Sequence, residues 1–247
     1  MLGKDFLPFG GFFCAWPGQV GHRAGTGGGG YAGATRPAPS TADKFVPGRA
    51  RVISVNVTLR KPWTQEQFFS WAETQEVRYE FDGFQPVAMT GGTAGASAIG
   101  VNLLAALRAR LRGGSCRPLG PDAGVETVNG AVRYPDALIT CTRFELQDKK
   151  VPGVVVVFEV VSARSGAVDR IVKVREYAAV PSIRRYVILE SSNVGLTVFE
   201  RGRADETWRA SALDNDDTLR MPEVGIEIPV SEIYEDIAFS EQNEASD

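Results

Sequence analysis

Histidine is almost missing from this 247-residue chain, which holds His22 and no other. A Ser-His-Asp triad would have to recruit that one residue from the glycine- and proline-rich start of the chain. The stretch Gly95-Ala96-Ser97-Ala98-Ile99-Gly100 also misses the G-x-S-x-G spacing, so serine hydrolase chemistry is all but excluded. Cysteine is scarce too: Cys14, Cys116 and Cys141 are odd in number, far apart and form no CxxC pair. That pattern argues against a disulfide framework or a zinc site and for reduced thiols in a cytoplasm. No apolar run approaches the roughly 18 residues that cross a bilayer, so no membrane association is expected. The start Met1-Leu2-Gly3-Lys4-Asp5 puts an acid where a secretion signal carries net positive charge. Gly27-Gly28-Gly29-Gly30 is followed by no Gly-Lys-Ser/Thr, which removes a phosphate-binding loop, and no strand is followed by a dinucleotide fingerprint.

A strong net charge is also lacking: the balance is −3, but it is unevenly spread. Residues 201–247 carry 4 basic and 13 acidic side chains, leaving 23 and 17 in residues 1–200, so a mildly basic body precedes an acidic tail. The basic residues gather as Arg108, Arg110, Arg112 and Arg117, then as Arg164, Arg170, Lys173, Arg175, Arg184 and Arg185. Such groups can contact phosphates or simply solvate helix faces.

What the chain does have is Val154-Val155-Val156-Val157-Phe158-Glu159-Val160-Val161-Ser162, an apolar β-branched run with one carboxylate in it. The run reads as a strand buried on both faces. A carboxylate there requires a partner, because desolvating an ionised acid is costly; a metal ion or a cationic side chain would serve.

Around this strand, residues 1–50 read as a flexible Gly/Pro-rich extension and the folded part begins near Val52. Thr64-Gln65-Glu66-Gln67 resembles a capping box opening a helix to about Glu76. Val77 to Phe81 and Phe84 to Met89 form a hairpin about Asp82-Gly83. A helix over Ala96–Arg112 follows, with Ile99, Leu103, Leu104, Leu107 and Leu111 as its apolar stripe. Gly124 to Val128 and Ala131 to Cys141 flank the hairpin signal Asn129-Gly130. After the valine strand come a helix from about Ser165 to Ala179 and strands at Arg184–Leu189 and Val194–Glu200. Thr207–Ala212 and Gly225–Ile228 are weaker strand candidates. This order predicts an α/β or α+β domain with a mixed sheet.

Five further positions bear on Glu159. Asp136, in Tyr134-Pro135-Asp136-Ala137, opens an apolar strand half; it either satisfies turn amides or, with Glu159 on a neighbouring strand, shares a divalent cation. Hard oxygen ligands without His or Cys point to magnesium or manganese. Asp169, Lys173 and Tyr177 are spaced i, i+4, i+8 on one helix face. Lys173 is then either half of an ordinary helical ion pair or an ammonium near the metal. Glu80 is flanked by Tyr79 and Phe81 and is equally compatible with a solvated hairpin.

Taken in order, Arg78-Tyr79-Glu80 with Asp82-Gly83, Pro135-Asp136, Glu159-Val160-Val161-Ser162 and the Asp169/Lys173/Tyr177 helix resemble the Uma2 family of the PD-(D/E)XK nuclease superfamily, over roughly Trp63 to Ile237. The resemblance implies a restriction-endonuclease-like core, with a mixed central β-sheet flanked by helices and additional β-hairpins, over residues 51–237, with 238–247 as an acidic tail. It also implies a Mg2+-dependent (or Mn2+-dependent) endonuclease acting on nucleic acid, DNA in the first place. Asp136 and Glu159 would be the metal ligands with the Val160 carbonyl, Lys173 the catalytic lysine and Glu80 the auxiliary acid. Two departures are visible. The superfamily lysine, two residues after the second acid, falls at the apolar Val161, and a histidine frequent in the family falls at about Ala96. The competing expectation is a nuclease-fold protein that binds nucleic acid or a partner without cutting. A homodimer is compatible with cutting both strands.

Overall fold

The computed structural model describes residues 61–162 and 167–239, and only the backbone of residues 167–169. The extension 1–50, the start near Val52, Cys14, His22, Arg164, Ser165 and most of the acidic tail lie outside the described residues, as does the side chain of Asp169.

Helix α1 (Gln65–Ala72) opens on the expected capping box: Thr64 accepts from the Gln67 amide while the Gln67 side chain accepts from the Thr64 amide. Strands β1 (Tyr79–Phe81) and β2 (Pro86–Ala88) follow as a hairpin, paired Phe81 to Pro86 and Tyr79 to Ala88. Its loop is four residues long rather than two, because the Asp82 carboxylate accepts from the Phe84 and Gln85 amides and closes the turn one step later. Helix α2 (Ala94–Leu111) begins two residues earlier than expected, at the N-cap Thr93. It buries Ile99, Leu103, Ala106, Leu107 and Leu111.

Strand β3 (Arg117–Leu119) was not foreseen. Strands β4 (Val125–Glu126) and β5 (Val132–Arg133) pair across Asn129-Gly130, whose φ angles of 56° and 75° are the left-handed values such a turn requires. The single strand expected over residues 131–141 is in fact two. Pro135 has no amide to donate, and the chain leaves one sheet at Tyr134-Pro135-Asp136 to enter another as β6 (Ala137–Thr140). The valine strand is β7 (Val154–Val161), followed by α3 (Ala167–Ala178), β8 (Arg185–Glu190), β9 (Leu196–Glu200), β10 (Arg209–Leu213), β11 (Thr218–Met221), β12 (Ile226–Pro229) and the short α4 (Val230–Ile233).

These strands form a six-stranded sheet ordered β10-β9-β8-β7-β6-β3, a four-stranded sheet ordered β2-β1-β5-β4, and the hairpin β11-β12. The larger sheet is mixed: β7 runs antiparallel to β6 and parallel to β8, with α3 as the crossover. Its central position explains the apolar composition of β7. Val156 and Phe158 pack with the α2 and α4 side of the core, Val154 and Val157 with Tyr177, Ile183 and Tyr186 on the other side. Each such fully buried side chain contributes about 1.5–3 kcal/mol. The fold class expected from the element order is the one observed: α+β, a mixed central sheet flanked by helices, with additional hairpins. Among the described residues no helix is long and apolar enough to cross a membrane.

One expectation is overturned. Cys116 and Cys141 form a disulfide rather than two free thiols. Register is the reason: β3 and β6 pair Arg117 with Thr140, so the two cysteines are the next facing pair. A separation of 25 residues carries no sequence signal for that encounter.

Candidate active site

The strand switch at Tyr134-Pro135-Asp136 joins the two sheets, and the charged residues collect there. The β6–β7 register pairs Ala137 with Phe158, so Asp136 stands one step further on, opposite Glu159. Asp136 Oδ2 accepts from the Val160 amide at 2.7 Å. The amide that satisfies Asp136 therefore belongs to the neighbouring strand, not to a local turn. The β1–β5 register pairs Phe81 with Val132, which brings Glu80 beside Arg133 in the same way. From the helix after β7, Lys173, Glu176 and Tyr177 share one face and reach back to the strands.

Glu159 is the centre of this group. Its Oε1 accepts from Lys173 Nζ at 3.0 Å and from the Tyr177 hydroxyl at 3.1 Å. Lys173 Nζ also lies 3.6 Å from Glu80 Oε1. Glu80 is only 8% exposed, so a solvated hairpin does not describe it; it accepts from Arg133 Nη1 at 3.1 Å and from the Tyr134 amide at 3.2 Å. Arg133 in turn holds Glu176 by two bonds of 2.7 Å. The structure thus brings together all four side chains singled out from the sequence: Glu80, Asp136, Glu159 and Lys173.

The electrostatics follow from burial. Desolvation lifts the Glu159 carboxyl to about 7, helped by the nearby Asp136 and Glu80 charges and opposed by Lys173. Desolvation also raises Asp136, against the pull of the Val160 amide and Lys173. Burial works to lower Lys173, but Glu159 and Glu80 outweigh it and its proton is held more tightly than usual. Tyr177, fully buried beside Glu159, is raised well above its ordinary value by desolvation first and by that carboxylate second, so it stays a neutral donor.

Three residues of this network were not among the expected site residues. Tyr177 was visible as part of the i, i+4, i+8 face, and Glu176 lies one residue from it. Arg133 carried the same signal as Glu159, a charge inside an apolar strand stretch, Ala131-Val132-Arg133. Several members of the basic clusters, by contrast, are engaged within the chain. Arg110 is paired with Glu232, Arg170 with Glu190, and Arg185 with Glu200 and Glu223. Val161, at the usual lysine position, packs with the apolar cluster on the α3 side. Ala96 lies in the first turn of α2, its amide bonded to Thr93 Oγ1.

Among the described residues no three carboxylate, histidine or cysteine side chains converge on one point as a ready-made metal cage. The donor set still fits a hard divalent ion. Glu80, Asp136, Glu159 and Glu176 are four acids in a network with the cations Lys173 and Arg133, and Arg78 also acts on Asp136. The acids outnumber the cations, and Asp136 and Glu159, both raised chiefly by burial, are the two whose ionised forms a bound cation would favour. Magnesium characteristically takes one or two carboxylates and fills the rest of its shell with water and phosphate oxygens, so a pair of acids suffices.

Known proteins agree with this architecture. The Uma2 family model, described as "Putative restriction endonuclease", matches residues 65–231. "Uncharacterized protein slr1290" of Synechocystis sp. (strain ATCC 27184 / PCC 6803 / Kazusa) is 29% identical over 179 residues, covering 70% of this chain and 92% of that one. A crystal structure of "a putative nuclease belonging to DUF820" from Anabaena variabilis ATCC 29413 superposes with a TM-score of 0.56 at 11% identity, covering 70% of this chain and 98% of that one. At that identity the likeness is one of fold.

Proposed function

The chain belongs to the Uma2 family, and from that premise we propose that it is a Mg2+-dependent endonuclease that hydrolyses phosphodiester bonds of nucleic acid, with DNA as the substrate. The observation that carries this reading is the meeting of Asp136, Glu159, Glu80 and Lys173 at the strand switch, where carboxylates outnumber cations.

Asp136, Glu159 and the Val160 carbonyl are the groups that would hold the ion, Mg2+ or Mn2+. When bound, it supplies Lewis-acid stabilisation of the charge that builds on the scissile phosphate. The chain's own residues do the rest. Lys173 places a permanent ammonium beside the reacting phosphate and offsets developing negative charge. Glu80, fixed from behind by Arg133, accepts a hydrogen bond from the attacking water and orients it. Tyr177 keeps Glu159 pointed at the site by donating to its Oε1.

The test compares wild type with Asp136→Asn, Glu159→Gln and Lys173→Ala on plasmid, single-stranded DNA and RNA, with Mg2+ or EDTA. Wild type cuts with Mg2+ and not with EDTA, and each variant loses at least about 100-fold, on the order of one well-placed electrostatic contact. One observation favours the competing reading of a binder that does not cut: Lys173 already engages the Glu159 carboxylate that the ion needs. Retention of DNA with no cleavage by wild type would establish that reading and end this one.

A further inference from the structure

Lys173 stands between two carboxylates and is not shared equally: Glu159 Oε1 is at 3.0 Å and Glu80 Oε1 at 3.6 Å. Both acids are buried, at 6% and 8% exposure, and neither has bulk water to blunt its pull on the ammonium. Something must make Glu80 the weaker attractor. The difference lies on the far side of Glu80. Its Oε2 accepts from Arg133 Nη1 at 3.1 Å, and its Oε1 also takes the Tyr134 amide at 3.2 Å.

Arg133 is suited to that task because its guanidinium presents donors on two edges at once. One edge, Nε and Nη2, forks onto both oxygens of Glu176 at 2.7 Å. The remaining nitrogen, Nη1, reaches Glu80. Glu176 lies three residues after Lys173 on α3, so the fork also ties that helix face to β5. A lysine at 133 could not make both engagements with the same geometry.

From this arrangement we propose that Arg133 is a positioning residue that holds Lys173 on Glu159 by occupying Glu80. The role rests on the nuclease reading for its catalytic meaning, but not for its geometry. Without the guanidinium, Glu80 presents an uncompensated charge to the nearest cation, and Lys173 swings to it. The ammonium then leaves the place where the phosphate would need it. The loss falls on turnover and leaves substrate affinity alone, because Arg133 itself is buried behind Glu80 and meets no substrate.

Removing Arg133 alone would strand Glu176 as a buried unpaired acid and endanger folding. The test variant is therefore the double Arg133→Gln/Glu176→Gln, in which both positions become neutral but keep hydrogen-bonding side chains. Glu176→Gln alone is the control, since it keeps Arg133 on Glu80. Crystal structures of the metal-free proteins are the first readout. In the double variant Lys173 Nζ bonds Glu80 and is detached from Glu159; in the control it stays on Glu159. Steady-state cleavage is the second, with kcat down about 10- to 100-fold in the double variant, as for loss of a group supporting a catalytic residue, and KM unchanged. Lys173 remaining on Glu159 in the double variant overturns the inference, as does a rise in KM with kcat intact. If wild type cuts nothing while Lys173 moves as stated, the nuclease reading falls and the positioning role stands.

Discussion

Replacing Glu159 by Gln should make the metal-free protein more resistant to unfolding at alkaline pH than at acid pH, relative to wild type. The Glu159 carboxyl is displaced from its ordinary 4.5 to about 7 by burial. Each tenfold change in proton affinity is worth about 1.4 kcal/mol, so the displacement amounts to about 3 kcal/mol. The sign follows from which state binds the proton more tightly. The native state does, so Glu159 favours folding below about pH 4.5, where both states are protonated, and that advantage is lost as pH rises through about 7. Glutamine keeps the volume and cannot ionise. Its cost in weakened bonds to Lys173 and Tyr177 is constant across the window, because both partners hold their protons well above it. Urea unfolding in EDTA at pH 5, 6, 7 and 8 measures the difference directly. The wild-type-minus-variant stability should fall by about 2–3 kcal/mol over that range and level off above about pH 8. Mg2+ at about one hundred times its Kd should return about 2.7 kcal/mol to wild type at pH 8 and little to the variant. A difference that stays flat within about 0.5 kcal/mol from pH 5 to 8, beyond the spread of ordinary surface effects, would refute the buried-acid argument.

Two further outcomes test the scaffold. Arg201 closes the C-terminal end of α3: its guanidinium donates to the carbonyls of Ala178, Val180, Ile183 and Ala204 and lies 5.4 Å over the Trp208 ring. Arg201→Ala leaves these acceptors without that donor and should cost about 2–4 kcal/mol in urea unfolding, with Arg201→Lys recovering less than half, since one ammonium cannot serve all four. Cys116→Ser, or reduction of wild type, opens the loop closed by the Cys116–Cys141 bond; for a separation of 25 residues the chain-entropy estimate is about 3.5 kcal/mol, read as a drop in Tm that a reductant produces in wild type and not in the variant.

Much of this fold was legible because its signals are local. The Thr64–Gln67 capping box, the Asn129-Gly130 turn and the valine strand each state their conformation within a few residues, and each formed as read. What escaped was non-local. Strand β3 is three residues long and contains a proline, so its strand character comes from pairing with β6 and not from its own sequence. The Cys116–Cys141 bond depends on the same pairing. Residues 131–141 read as one strand because strand-forming residues stand on both sides of Pro135-Asp136; that Pro135 marks a change of sheet is decided by which neighbours lie on either side. The candidate site was legible for a different reason. A charge in an apolar strand is conspicuous wherever it occurs, and Glu159 was found that way. Arg133, equally conspicuous, was passed over because its two partners, Glu80 and Glu176, are 53 and 43 residues away.

If Lys173 serves the proposed site, its place on a helix rather than on the strand at Val161 follows from what each position can solvate. Val161 lies on the same side of β7 as Glu159 and Val157, packed with the cluster that contains Tyr177 and Ile188. A lysine there would project from a half-buried strand end into an apolar layer and meet the cost of desolvating an ammonium. Lys173 approaches the same carboxylate from the helix above, with its stem against the protein and 21% of its side chain still exposed. A long aliphatic stem with its head at the edge of an apolar surface is the arrangement lysine tolerates best. The same geometry leaves Lys173 dependent on its neighbours, since a flexible four-carbon chain anchored on a helix can reach either Glu159 or Glu80. A strand lysine is aimed by the pleat of its own sheet; this one has to be aimed by the charges around it, and the Arg133–Glu176 fork supplies that aim.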